Sequence, residues 1–154
     1  MKAIKLDCLG LVFAISAFFA CNVAGGSPHW VTRSSDDGSP GSLRYAITTA
    51  NADGGGKIVF TSVPDPVILH SPLPCLTNIS ITGPGTISGS NRFRVFCMDS
   101  GTTDTLSDLN IVDGVVANLS YPPIADGWGA GISNAGSLTL LNCAIRGCIH
   151  SLWV

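Results

Sequence analysis

Three aspartates and two arginines are the residues whose types and spacing could support catalysis. Asp99, Asp104 and Asp108 follow Arg92 and Arg94 closely in the chain. Carboxylate oxygens are preferred ligands of Ca²⁺, and a basic side chain beside them could take a proton from a carbon next to a substrate carboxylate. However, Asp99 and Asp104 flank "SGTT", which is turn sequence, and aspartates in turns serve local hydrogen bonds. We therefore predict no catalytic residue and no metal ligand here.

The histidines and glycine-rich stretches do not indicate a second kind of chemistry. His29, His70 and His150 are spread along the chain, and none stands with a nucleophile in a G-x-S-x-G setting. "GPG" at Gly83–Gly85 and "GWGAG" at Gly127–Gly131 lack the Lys-Ser/Thr pair and the following helix of a phosphate-binding loop. We interpret both as corners between strands, and no cofactor is predicted.

Four cysteines follow the N-terminal region: Cys75, Cys97, Cys143 and Cys148. Their spacing matches no zinc pattern. An exported chain can form disulfides, and four thiols allow three possible pairings. Cys97 and Cys143 lie in apolar runs, where we expect buried, unpaired thiols.

Two aromatic residues, Tyr121 and Trp128, lie in the irregular stretch "SYPPIADGWGAG". Exposed aromatic rings there could stack on sugars or contact a partner, and Tyr121 and Trp128 are therefore candidate ligand-contact residues. The alternative is that they shield one side of the fold.

Composition favours strands and turns over helices. The chain of 154 residues contains neither Glu nor Gln, whereas Gly, Pro, Ser, Thr and Asn are abundant among Ile, Val and Leu. Its formal net charge is −2, and Lys and Arg are scattered, so no footprint for nucleic acid is present.

The first 25 residues have the pattern of a secretory signal peptide. Lys2 and Lys5 precede an apolar run from Leu9 to Ala20, which is short for a bilayer span of roughly 20 residues. The alternative is lipidation of Cys21, since "FFAC" resembles a lipoprotein box. Either route leaves a membrane contact only through the signal peptide or a lipid anchor.

One segment is typical of an amphipathic helix. Leu43, Ala46, Ile47 and Ala50 recur at i, i+3, i+4 and i+7 and form one apolar stripe. Ser39 or Ser42 could cap its start, while glycines 54–56 end it. Asp36 and Asp37 belong to the turn before it.

Short strands broken by Gly and Asn follow the helix. "LTNISITG", "LSDLNIVDG" and "SLTLLNCAIRG" resemble one another, with Asn78, Asn110 and Asn142 each before an apolar strand. Repeated strands too small to bury their own faces indicate a stacked architecture, so we expect a parallel β-helix with inward Asn ladders. The alternative, an antiparallel sandwich, lacks two-residue hairpin signals. The helix would cap the first coil.

The segment "VTRSSDDGSPGSLRYAITTANADGGGKIVF" resembles the entry segment of secreted and surface right-handed β-helix proteins of bacteria, with S-L-R-x-A-I followed by A-N. "PLPCLTNISITGPGTISG" and "GAGISNAGSLTLLNCAIRG" are similar to the first coils of that family. Its members include CSLREA-motif proteins, polymorphic outer-membrane-type proteins and autotransporter-like passengers. Gly41 and Tyr45 depart from the signature, and pectate lyases share a similar entry segment, so the resemblance does not separate scaffold from enzyme.

Together these patterns predict an all-β, right-handed parallel β-helix with an N-terminal capping α-helix. We expect a signal peptide at 1–25, a strand and capping helix at 26–56, and the first coils of a truncated β-helix at 57–154. Structural cap residues would be Leu43, Arg44, Ala46 and Ile47, with Arg44 pairing with an aspartate or with helix-end carbonyls.

The expected function is that of a secreted or cell-surface, adhesin-like scaffold without catalysis. The expected partner is a host or environmental polysaccharide or a surface protein. The alternative is a pectate-lyase-like enzyme that degrades polysaccharides.

Overall fold

The structure is a computed structural model that describes residues 27–61, 63–64, 66–118 and 129–152. The predicted signal peptide at 1–25, the lipidation candidate Cys21 and the loop residues Tyr121 and Trp128 lie outside the described residues. No helix within the described ranges has the length and apolar character needed to cross a membrane.

The described residues form one α-helix and eleven β-strands. Helix α1 spans Leu43–Ala52. The strands are β1 (His29–Val31), β2 (Gly56–Phe60), β3 (Val67–Ile68), β4 (Ile79–Ser88), β5 (Phe96–Met98), β6 (Thr103–Val112), β7 (Val115–Asn118), β8 (Ile132–Asn134), β9 (Ser137–Leu141), β10 (Ala144–Arg146) and β11 (Ile149–Leu152).

The prediction of an amphipathic helix with a buried stripe is confirmed. Leu43, Ala46, Ile47 and Ala50 are all buried, and the Ser42 hydroxyl accepts a hydrogen bond from the Tyr45 amide at 3.2 Å. At the other end, the Gly55 amide donates to the Ala50 carbonyl at 2.8 Å, closing the helix with a six-residue turn. The stripe packs on β1, β2 and β4, so α1 lies against the sheet.

Every strand pair in the described part of the chain is parallel. The main sheet has seven strands in the order β1-β2-β4-β6-β10, with β3 also paired to β4 and β9 also paired to β6. Strands β5 and β8 form a second, two-stranded sheet, and β7 and β11 form a third. Residues far apart in sequence therefore become neighbours at fixed register.

Two rows of apolar side chains run across the main sheet and form much of the core. In the first row, Ile58 pairs with Ile81, and Ile81 with Leu106; all three have 0% exposure. In the second, Ile87 pairs with Ile111, and both are also fully buried. Because side chains alternate along a strand, the same register places the intervening residues on the outer face.

The predicted all-β, right-handed parallel β-helix with a capping helix is wrong. The described residues have a mixed α/β structure, built on one parallel sheet of seven strands with one short helix packed against it. The prediction separated "NISITG" from "TISG" at Gly83–Gly85, whereas the structure has one continuous strand, β4, through these residues. A register shift between Thr82 and Gly85 accommodates the irregularity, so the expected corner at Gly83–Gly85 lies inside one strand.

The cysteine pairing was left open by the sequence, and the structure settles it within the described residues. Cys75 and Cys97 form a disulfide with a Cα–Cα distance of 4.6 Å, so the expectation of an unpaired thiol at Cys97 is wrong. Cys143 and Cys148 are free and half-buried. The disulfide ties the segment before β4 to β5.

Candidate binding groove at the bend of the sheet

A polar groove of about 540 Å³ opens on the surface where strands β4, β6 and β9–β10 bend. We call it the bend groove. Its lining comes from three successive layers of the main sheet, namely Gly83, Pro84, Asp108, Leu109, Asn110, Asn142, Cys143, Ala144 and Arg146. Asp108, Asn110 and Arg146 are exposed, so they are accessible to a ligand.

Backbone conformation at the bend explains which residue types occupy it. Asp108 and Asn142 have φ values of 56° and 51°, a left-handed conformation that Asp and Asn tolerate better than most side chains. At Gly83 a side chain would overlap the carbonyl oxygen of Asp108, so glycine allows the two layers to approach. The groove is thus fixed by backbone geometry.

Hydrogen bonding links the layers inside the bend groove. The Asn142 side-chain amide donates to a carboxylate oxygen of Asp108 at 2.6 Å. Asn110 is the register partner of both Thr86 and Ala144, and Arg146 is the register partner of Val112. An amide, a carboxylate and a guanidinium on one open surface can exchange hydrogen bonds with the hydroxyl and carboxylate groups of a ligand.

The five residues considered for calcium-assisted proton abstraction are not assembled into such a site. Asp104 is fully buried, where it accepts hydrogen bonds from the Ile79 amide and the Thr102 hydroxyl at 2.7 Å each. Asp108 lies in the bend groove, and Asp99 is exposed at the turn between β5 and β6. Within the described ranges, no cluster of three or more His, Cys or Asp side chains is suited to a metal ion.

Arg92 and Arg94 line a different cavity, of about 240 Å³, together with Pro72, Leu73 and Val115. The Arg94 Nε donates to the Gly129 carbonyl at 3.0 Å. The Arg92 guanidinium carbon lies 5.2 Å from the centroid of the Phe93 ring. Both arginines therefore lie outside the bend groove and outside the surroundings of Asp104.

Arg44 forms a close ion pair with Asp36, with 2.8 Å between the Arg44 Nε and a carboxylate oxygen. Its Nε and one terminal nitrogen donate to the two carboxylate oxygens of Asp36 at 2.8 Å each. Arg44 also donates to the carbonyls of Ser71 and Pro72, and the His70 amide donates to Asp36. Of the two partners expected for Arg44, the aspartate is confirmed, while the carbonyls belong to a loop rather than to a helix end.

The other residues weighed from the sequence have local roles. His29 Nε2 lies 3.6 Å from a carboxylate oxygen of Asp53, and His70 is exposed. The Ser39 amide donates to Asp37 at 3.0 Å, which holds the pKa of the Asp37 carboxyl below its usual value. Asp37 thus serves the turn before α1, as expected.

Sequence reasoning missed the bend groove because it aligned the three repeats on Asn78, Asn110 and Asn142. The register instead places Asn110 beside Thr86 and Ala144, while Asn142 bonds to Asp108. All three asparagines are exposed, so the expected inward ladder is wrong. Aligning on the apolar residues would have found the register, since Leu106 pairs with Leu140 and Ile111 with Ile145.

Comparison with known proteins gives no assignment. No family model, no curated protein and no solved structure matches the chain.

Proposed function

We propose that the chain is a secreted or cell-surface, adhesin-like scaffold that binds a polysaccharide in the bend groove without cleaving it. The observation that carries this proposal is the groove itself, where Asp108, Asn110, Asn142 and Arg146 offer polar groups on one open surface. Sugars are recognised by such amide, carboxylate and guanidinium groups because each hydroxyl both donates and accepts hydrogen bonds.

The Cys75–Cys97 disulfide supports export, since disulfides persist mainly in oxidising compartments. The N-terminal pattern of Lys2, Lys5 and an apolar run supports the same route. The similarity of "SLRYAI" to the entry segment of bacterial surface proteins is consistent with a place outside the cell.

The alternative of a pectate-lyase-like enzyme has less support. The carboxylates of such an enzyme would have to surround one cation. Instead, Asp104 is buried and accepts hydrogen bonds from Ile79 and Thr102, and Asp108 accepts a hydrogen bond from Asn142. No specific observation favours this reaction over binding.

Binding is tested by titrating the purified chain with oligomers of polygalacturonate, followed by calorimetry. The uronate carboxylates suit Arg146, and the sugar hydroxyls suit Asn110. We expect Arg146→Ala and Asn110→Ala each to weaken binding about tenfold, which corresponds to about 1.4 kcal/mol for a lost hydrogen bond to a charged or amide group. Arg33→Ala is the matched control, because Arg33 is an exposed arginine that pairs with Asp37, outside the groove.

The same titration, repeated with Ca²⁺ and monitored for the absorbance of unsaturated sugar products, separates binding from cleavage. The proposal predicts binding with no increase in absorbance. An increase that grows with time would favour the lyase. Failure of the polygalacturonate oligomers to bind, or equal binding by the Arg33 and Arg146 variants, would contradict the assignment of the groove as the binding site.

A further inference from the structure

A second polar groove lies on the outer face of the main sheet, beside the glycine turn that ends α1. It has a volume of about 460 Å³, and its lining includes Asp53, Lys57, Ser80 and Thr105. We call it the turn groove. It shares no residue with the bend groove, although strands β4 and β6 contribute to both.

Outward hydroxyl groups connect the two grooves. Ser80 is the register partner of Thr105, and two residues further along the strands Thr82 is the partner of Ser107. All four are partly exposed, because they alternate with buried apolar residues. Ser107 is followed directly by Asp108 of the bend groove. A strip of polar side chains therefore runs along β4 and β6 from one groove to the other.

The length of this strip indicates what kind of ligand could use it. From Thr103 in the turn groove to Asn110 in the bend groove, β6 follows a path of roughly 23 Å, at about 3.3 Å per residue. A disaccharide is too short to reach from one groove to the other. A ligand that occupies both grooves must be an extended chain.

The charges at the two ends of the strip indicate an acidic chain. Lys57 in the turn groove and Arg146 in the bend groove are exposed, and neither forms an ion pair within the described ranges. The carboxylate of each groove already has a neighbour, since Asp53 lies 3.6 Å from His29 Nε2 and Asp108 accepts the hydrogen bond described above. The two cations are therefore available to carboxylates of a ligand.

We propose that the ligand is an extended acidic polysaccharide, of the polyuronate class, that lies along β4 and β6 and occupies the turn groove and the bend groove together. Its carboxylates pair with Lys57 at one end and Arg146 at the other, and its hydroxyls bond to the strip between them. This inference rests on the proposed function, because the bend groove is one half of the site.

The test is calorimetric titration of the full chain with galacturonate oligomers of increasing length. For digalacturonate, Arg146→Ala should weaken binding and Lys57→Ala should not. For oligomers long enough to reach both grooves, Lys57→Ala should also weaken binding, about fivefold, as expected for an exposed ion pair. Lys57→Arg should restore the affinity, since it keeps the charge.

Two controls separate a specific contact from a general effect of charge. Arg33→Ala removes an exposed cation that lines neither groove, and it should leave the affinity unchanged at every length. Methyl-esterified oligomers of the same length carry no charge, so their binding should be weaker and should not depend on Lys57. Circular dichroism checks that each variant is folded.

The result for Lys57 distinguishes failure of this inference from failure of the proposed function. Equal affinities of the wild type and Lys57→Ala at every length, with weaker binding by Arg146→Ala, would overturn the two-groove site and leave the bend groove as the binding site. Unchanged binding by Arg146→Ala would contradict the proposed function and this inference together. Equal losses in the Lys57 and Arg33 variants would show a general effect of charge and would also overturn the inference.

Discussion

At the scale of single residues, the ion pair of Asp36 and Arg44 connects several segments near the start of the described chain. The Asp36 side chain has 0% exposure and the Arg44 side chain 19%, so both charges are largely removed from water. A buried carboxylate is tolerable only when it is paired and hydrogen-bonded, and Arg44 supplies two of its bonds. The pair joins α1 to the turn before it and to the loop at 70–72.

Arg44→Ala should therefore be strongly destabilising. It leaves the Asp36 carboxylate buried without its cation, which typically costs about 3–5 kcal/mol of unfolding free energy. Arg44→Lys keeps the charge but loses the bidentate hydrogen bonding to Asp36, so it should destabilise the fold less than Arg44→Ala. The measurement is urea unfolding followed by circular dichroism.

The matched control is Arg33→Ala. Arg33 pairs with Asp37 at 3.7 Å, and both side chains are about half exposed, with 49% and 48% exposure. Exposed ion pairs contribute less than about 1 kcal/mol. Equal losses of stability in the Arg33 and Arg44 variants would show that burial of Asp36 does not matter, contrary to our interpretation.

At the scale of elements, α1 is a short helix that tertiary packing stabilises. Ten residues are marginal for an isolated helix, so its buried stripe against β1, β2 and β4 must provide most of its stability. The Ser42 cap and the glycine-terminated end fix its length.

Ile47→Ala tests this packing directly. Ile47 has 0% exposure, and truncation of a buried isoleucine costs about 2–5 kcal/mol, depending on how far the cavity collapses. Thr48→Ala, at the next and exposed position, should change the unfolding free energy by about 0.5 kcal/mol or less. If both variants unfold at the same denaturant concentration, the buried stripe does not provide the stability of the helix.

The helix could be predicted from the sequence, and the continuation of one strand through Gly83–Gly85 could not. A 3.6-residue apolar period needs only local information, and Leu43, Ala46, Ile47 and Ala50 supply it. Strand pairing depends on register between distant segments. At Gly83–Gly85, the residue types of a turn occur inside β4, where the bulge accommodates them.

For the Arg44 contact and the disulfide, too, the sequence predicted one part and only the fold determined the rest. The place of Arg44 in "SLRYAI" led us to expect an aspartate or helix-end carbonyls as its partner, but only the fold brings Asp36 to it. Nothing in the spacing of four cysteines selects Cys75 and Cys97, since three pairings were possible. Strands β7, β8 and β11, short and without a clear alternating pattern, were not predicted.

At the scale of the whole molecule, the Cys75–Cys97 disulfide should contribute to stability. The cysteines are 22 residues apart in sequence, and crosslinking a loop of that length stabilises a fold by about 3 kcal/mol through the entropy of the unfolded chain. Replacing both cysteines with serine should lower the melting temperature. The control is the pair Cys143→Ser and Cys148→Ser, whose free thiols crosslink nothing in the described structure. An unchanged melting temperature in the variant with serine at positions 75 and 97 would contradict a stabilising disulfide.

The bend groove depends on one structural claim, the parallel register of β4, β6 and the strands that follow. Ser80 and Thr105 are register partners on the outer face, whereas Ser107 is the partner of Thr82. Parallel neighbours lie about 4.8 Å apart, within reach of a disulfide, and diagonal positions lie roughly 7–8 Å apart, which is too far.

The most direct measurement is therefore the mass-spectrometric yield of an engineered disulfide, in a background with Cys143 and Cys148 changed to serine. Ser80→Cys with Thr105→Cys should crosslink efficiently, and Ser80→Cys with Ser107→Cys should not. The opposite yields, or no crosslink in the register pair, would contradict the sheet on which this account depends.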